Sequence, residues 1–235
     1  MNKTYLVFFF ALFIVGCNND DKDVKDEEIT YPSTLELTQY EITENVRIFT
    51  KDGEVKDQKV INKFINEGFG HNIFQPKGYS SNFEKANVIN YKSQDSAVFN
   101  WGTFKEKLAV KKVGNEIYFS PKDTVTFFTN EESLLSFIGQ MGKYKPYYKF
   151  TFVPANPPGH VVKRYSSFVA SGNANKLTFN CMSYSVILQR NMMVYGMSEN
   201  IIYNNGFDNN VLSQLRNGDT LALQNTKLIF EKIKN

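Results

Sequence analysis

The sequence predicts a mainly β protein, an antiparallel meander forming a barrel or curved sheet, with two short helices. Three observations point there. Phenylalanine at 21 and tyrosine at 13 are abundant in 235 residues beside a single tryptophan, a composition suited to strands and broad apolar faces rather than to a helical bundle. Short stretches alternate apolar and polar residues, and turn signals recur about every 8 to 12 residues, the rhythm of sandwiches and barrels. The 42% hydrophobic and 22% charged content is that of a globular chain and excludes a disordered, collagenous or multi-spanning one.

Taken in order, residues 34–38 and 45–50 alternate as half-buried strands, and Asp52-Gly53 supplies the turn after the second. Asp57 is placed to cap a helix over 58–67, whose apolar face is Val60, Ile61, Phe64 and Ile65 and whose stop is Gly68. Residues 69–83 mix Gly, Asn, Pro and Ser with single aromatics and read as a surface loop. Strands follow at 87–91, 97–101, 107–113, 116–120 and 124–129, joined by tight connections at Gly114-Asn115 and Pro121-Lys122-Asp123.

Thr129 and Glu132 form a candidate capping box for a second helix bearing Leu134, Leu135, Ile138 and Met141 and ending at Gly142. The remainder reads as strands at 147–153, 161–170, 177–181, 185–189, 193–195, 201–203, 220–224 and 228–233, with Asn217-Gly218-Asp219 marking a final hairpin. No Pro, Ser or Gly tract is long enough to divide the body, so 31–235 is expected to be a single β-rich globular domain.

Ahead of that body, residues 1–16 read as a signal peptide: a positive start at Lys3, then an apolar run of about ten residues from Leu6, too short to span a bilayer stably. The run ends in Ile14-Val15-Gly16-Cys17, which resembles the lipobox of bacterial lipoproteins. The resemblance implies diacylation of the Cys17 thiol, cleavage between Gly16 and Cys17 by the lipoprotein signal peptidase, and acylation of the new amine. Two or three acyl chains make a stable anchor where one holds only marginally.

Residues 17–30 then form the lipidated cysteine and an acidic flexible leash, with six acids and two lysines between Asn18 and Glu28. Acidic residues so placed resemble the surface-export signal of Bacteroidetes-type lipoproteins. The address implied is the outer membrane, facing either the periplasm or the cell surface. At the other terminus, Asn217-Gly218-Asp219-Thr220-Leu221-Ala222-Leu223 and Leu228-Ile229-Phe230-Glu231-Lys232 resemble the closing hairpin of small lipocalin-like lipoproteins. The body departs from that family at its start, where a helix stands in place of the usual glycine and tryptophan near the first strand.

Chemistry is sparsely signposted. There is no His-Glu-x-x-His, Gly-x-Ser-x-Gly, phosphate-cradling glycine loop or calcium loop, and neither the two cysteines nor the two histidines build a recognisable metal site. Asp95, Glu106, Glu116 and Asp123 read as solvated turn or strand-edge acids. Cys181 runs in phase with Leu177 and Phe179 and is expected to be a buried small hydrophobe. No catalytic residue, metal or cofactor is assigned.

The candidate ligand contacts are Tyr144, Tyr147 and Tyr148, which interleave with lysines from Lys143 to Lys149, together with Trp101, His71 and His160, the histidines on expected loops. The lysines are expected on the strand face opposite the tyrosines. Trp101 is either core or pocket wall.

The whole chain carries 27 basic and 24 acidic residues. Without Lys3, Lys22, Lys25 and the six leash acids, 24 and 18 remain, a net near plus six and too diffuse to argue for nucleic acid. The functional expectation is a lipid-anchored, non-catalytic binding or accessory module of the envelope, whose partners are the membrane and a glycan, a small apolar ligand or an envelope protein. The alternatives are an anchored hydrolase of glycans or peptides and a lipocalin-like carrier.

Overall fold

A computed structural model of the chain describes residues 30–67, 73–81, 87–142, 147–154, 158–165, 167–173, 175–190, 193–202 and 206–233. The signal peptide, Cys17 and nearly all of the leash lie outside the described residues, as do His71 and Tyr144. The chain runs through β1 (Ser33–Ile42), β2 (Arg47–Thr50), β3 (Gly53–Glu54), α1 (Gln58–Asn66) and β4 (Ser80–Ser81). It continues through β5 (Val88–Ser93), β6 (Ser96–Trp101), β7 (Phe104–Val113), β8 (Glu116–Pro121), β9 (Val125–Thr129), α2 (Glu132–Met141) and β10 (Tyr147–Val153). The last elements are β11 (Gly159–Tyr165), β12 (Phe168–Gly172), β13 (Lys176–Arg190), β14 (Met193–Ile202), a 3-10 helix (Asn209–Gln214) and β15 (Thr220–Lys232).

Eight strands close on themselves in the order β1-β5-β6-β7-β8-β12-β13-β15, and β15 returns to pair with β1. Every pairing around the ring is antiparallel, so this is an up-and-down barrel, as the composition and alternation predict. Closure leaves no open edge within the ring.

The phenylalanine and tyrosine content fills the interior. Tyr91, Phe119, Phe179, Phe230, Phe99 and Trp101 form a run of ring contacts, with successive centroids 5.9, 5.6, 5.5, 6.1 and 5.8 Å apart. Tilted and edge-to-face pairs of this kind add roughly 0.5 to 1.5 kcal/mol each beyond their burial. Leu35, Ile89, Leu108, Leu177 and Leu228 complete the packing.

Outside the ring, β13 and β15 run on past one mouth of the barrel. Their twelve paired positions extend from Lys176↔Glu231 to Ile187↔Thr220. Beyond the mouth they carry β14 on one side and β2 with β3 on the other. One face of this extension is covered by α2 and the 3-10 helix, which bury Leu134, Phe137, Met141, Val211 and Leu215 against Tyr184, Val186, Leu188 and Leu223. The other face is covered by α1, which packs Ile61 with Phe64 and Ile65 near Ile48 and Ala222. Polar Gln224, 2% exposed, is tolerated inside because its amide accepts from Gln75 N and donates to the Glu44 and Gln75 carbonyls.

Several expectations are corrected. Residues 161–170 are not one strand: the chain breaks before Phe168, so β11 belongs to a separate three-stranded sheet, β10-β11-β9, and β12 to the barrel. The meander is therefore interrupted after Pro121 rather than passing directly into β9. Conversely, 177–181 with 185–189, 193–195 with 201–202, and 220–224 with 228–232 are each a single strand. The closing pair thus forms one long strand, and the turn at Asn217-Gly218-Asp219 precedes it.

Asp57 does cap α1, accepting from Lys59 N at 2.8 Å, but Val60 faces solvent. The capping box at α2 is not formed. The hydroxyl of Thr129 accepts from Glu131 N at 2.9 Å, while Glu131 occupies the cap position without a side-chain hydrogen bond.

Candidate functional site

The barrel has two unlike ends. At one lie Ser33, paired with Tyr91, and the Ile233 N–H, which donates to the Thr34 carbonyl at 3.3 Å; the described chain enters and leaves here. Lys176 begins β13 at this end and forms an ion pair with Glu231. The 15 residues of β13 carry it about 50 Å to Arg190, at the far end of the extension. The mouth on that side is bordered by the turn after Trp101 and by the excursion through β9, α2, β10 and β11.

The predicted contact residues distribute unevenly over this far side. Trp101 is half-buried at the end of β6, its ring against Phe99, and belongs to the barrel packing. His160 lies on strand β11 rather than on a loop, because its backbone pairs with Thr129 and Phe152. Its Nε2 stands 3.4 Å from Glu132 Oε2, and its ring contacts Phe152 and Phe150, so it ties the three-stranded sheet to the first turn of α2.

Tyr147 and Tyr148 lie on β10, their backbones in register with Tyr165 and Arg164. Two hydrophobics of this sheet, Phe128 and Phe152, are 49% and 61% exposed.

Glu106 of β7 lies within electrostatic reach of Arg164 on β11. Glu106 stands across from buried Phe99 and in phase with Leu108, a register that turns it toward the interior at the mouth. It is half-buried rather than the solvated strand-edge acid the sequence suggests; burial holds its carboxyl above the ordinary range, partly offset by the Arg164 charge. The other acids behave differently. Asp95 is exposed, and the Ser93 hydroxyl, donating at 2.6 Å, holds its carboxyl below the usual range. Glu116 accepts from the Tyr118 hydroxyl at 2.7 Å, and Asp123 is exposed. Cys181 is buried as expected, and burial pushes its thiol well up.

The described interior of the barrel is packed with aromatic and aliphatic side chains. A void of about 10 Å³ between Ile89, Phe99, Leu108, Phe119, Phe168 and Phe179 has about the volume needed for one water, and its lining is apolar. Two larger recesses lie on the extension. One, of about 390 Å³, runs along α1, lined by the amides of Gln58, Asn62 and Asn66 and by Phe74 and Pro76. The other, of about 410 Å³, separates α2 from the 3-10 helix.

Sequence reasoning misses both recesses, because each is assembled from segments distant in the chain. The i, i+4, i+8 spacing of Gln58, Asn62 and Asn66 is the one signal that could have marked the first. Among the described residues no group of three His, Cys, Asp or Glu is placed to hold a metal, and no helix is long and apolar enough to cross a membrane.

Fold and site together define a closed eight-stranded up-and-down barrel with a packed interior and a helix-clad extension at one mouth. Comparison with known protein families, with curated proteins and with solved structures finds no match.

Proposed function

We propose that the chain is a lipid-anchored protein of the outer membrane or cell surface, tethered through Cys17, whose barrel serves as a non-catalytic binding or accessory module of the envelope. The observation that carries this reading is the polarity of the barrel. The described chain starts at the end where Ser33 meets Tyr91, whereas α2, the 3-10 helix and the three-stranded sheet gather toward the other. A leash ending at the first mouth would hold the elaborated end outward, where a partner can reach it.

The packed interior further favours contact on the outer surface over enclosure of a small apolar ligand, since a carrier needs a cavity of some hundreds of Å³. The anchored-hydrolase alternative has one observation in its favour, the half-buried Glu106 turned inward at the barrel mouth. Turnover of a glycan or peptide panel abolished by Glu106→Gln would establish it in place of the binding module.

The anchoring is tested by Cys17→Ser in cells fed labelled palmitate. The parent is expected to incorporate label and sediment with membranes, and the variant to do neither. Label retained in the variant overturns the tether.

A further inference from the structure

The recess between α2 and the 3-10 helix is organised by one buried carboxylate. Asp219, whose side chain is fully buried, accepts from Arg190 Nη1 at 2.6 Å and Gln189 N at 2.8 Å through Oδ1, and from Arg216 N at 2.8 Å through Oδ2. It thereby fixes the Arg190 guanidinium and the backbone that carries the Arg216 side chain, and both arginines line the recess. Gly218 lets the turn close in this way: its φ is +84°, and a Cβ there would strike the Gln189 side chain.

The charges in the recess do not cancel. The Asp219 carboxylate is taken up by its three donors. Arg190 spends Nη1 on Asp219 and on the Gln189 carbonyl, at 2.6 and 2.8 Å, which leaves its Nε and Nη2 hydrogens without a protein acceptor among the described residues. The Arg216 side chain is exposed and has no ion pair among them, and no acidic residue lines the recess. Around the two cations stand the hydroxyls of Ser133, Ser136 and Ser213 and the amide of Gln214, the last held by donation to Gln140 Oε1 at 2.8 Å. Phe137 and Leu215, 3% and 5% exposed, form an apolar floor.

We propose that this recess binds a small hydroxylated oxyanion, the chemical class of an acid sugar. Arg216 and the free edge of Arg190 take the anionic group, the serine and glutamine groups take hydroxyls, and the floor takes the apolar face of the ring. Guanidinium groups suit carboxylate and phosphate oxygens because they present paired donors in a plane. The volume of about 410 Å³ is within the range of small-ligand sites. The proposal rests on the reading of the barrel as a binding module and supplies its ligand class.

The test is calorimetric titration of the full-length protein in detergent with glucuronate, glucose 6-phosphate and glucose. Saturable binding of either anion, with glucose at least tenfold weaker, is the expected result. Glucuronate or glucose 6-phosphate as the tighter ligand identifies a carboxylate or a phosphate as the natural anion. Arg216→Ala, at an exposed side chain, should weaken binding roughly ten- to a hundredfold without unfolding the protein, as expected for the loss of charge-assisted hydrogen bonds. Failure of both anions to bind, glucose binding as tightly as they do, or an unchanged affinity in Arg216→Ala overturns the proposal. Palmitate incorporation measured on the same preparation keeps that failure apart from failure of the tether.

Discussion

Replacing Asp219 by alanine removes the acceptor that three donors share and leaves the barrel interior untouched. The carboxylate is fully buried, whereas the Arg190 side chain retains 18% exposure and Gln189 and Arg216 are surface residues. Breaking a buried pair by deleting one partner costs about 3 to 5 kcal/mol, and each stranded backbone N–H about 1 to 3 kcal/mol where water cannot reach it. These terms overlap, and the exposure of the three donors admits water, so the net loss is expected to be about 3 kcal/mol. In a domain of this size that lowers the melting temperature by about 6 to 12 °C.

Urea unfolding followed by circular dichroism measures the loss directly. Asp219→Asn, which keeps one acceptor oxygen but loses the charge, should fall between parent and alanine variant. In a double-mutant cycle with Arg190→Met, the coupling should exceed 1 kcal/mol, as for partners in one network. A loss below about 1 kcal/mol for Asp219→Ala, or no coupling to Arg190, would refute the claim that this carboxylate organises the turn and the recess.

Three further outcomes follow from the same geometry. Because burial raises the Glu106 carboxyl, the folded chain binds that proton more tightly than the unfolded one, and stability is lost as pH rises from the ordinary carboxylate range through the folded pKa. Glu106→Gln should therefore gain melting temperature relative to the parent as pH rises above the ordinary carboxylate range at about pH 4, and a pH-independent difference would contradict this. Cys181, buried with its thiol pushed up, should resist alkylation in the native protein and react fully in denaturant, as read by mass spectrometry. Gly172 turns β12 into β13 at φ +128°, where a Cβ would strike the Lys176 carbonyl; Gly172→Ala should cost about 1 to 3 kcal/mol in chemical denaturation, and a neutral effect would count against the hairpin as described.

The barrel was legible in the sequence where strands have one face in the core and one in water. From 88 to 121 the hairpins come out within a few residues of their positions, because alternation and Gly114-Asn115 both signal them. The reading fails where both faces are covered. Residues 181–186 of β13 are all buried, since the strand passes from the barrel into a sheet clad by helices, and Ser183 inside that run imitates a break. Asn225 and Thr226 do the same in β15.

The opposite error at 161–170 has the opposite cause. The segment is apolar enough for one strand, yet β11 pairs with β9 and β10 while β12 pairs with β8 and β13, a division that only long-range pairing reveals. The candidate site was less legible still. Arg190, Arg216 and Ser133 carry no local pattern, and their proximity arises from the packing of α2 and the 3-10 helix against β13. Trp101 and His160 were singled out by residue type, and their observed contacts are to the aromatic packing and to Glu132.

Native mass spectrometry of the mature protein released from its own membrane tests most directly the idea of a solid barrel held by a lipid tether. A chain beginning at Cys17, carrying covalent acyl mass and no further apolar molecule, is the expected species. A chain without acyl mass, or one that retains a non-covalently enclosed lipid after the detergent is stripped, would contradict it.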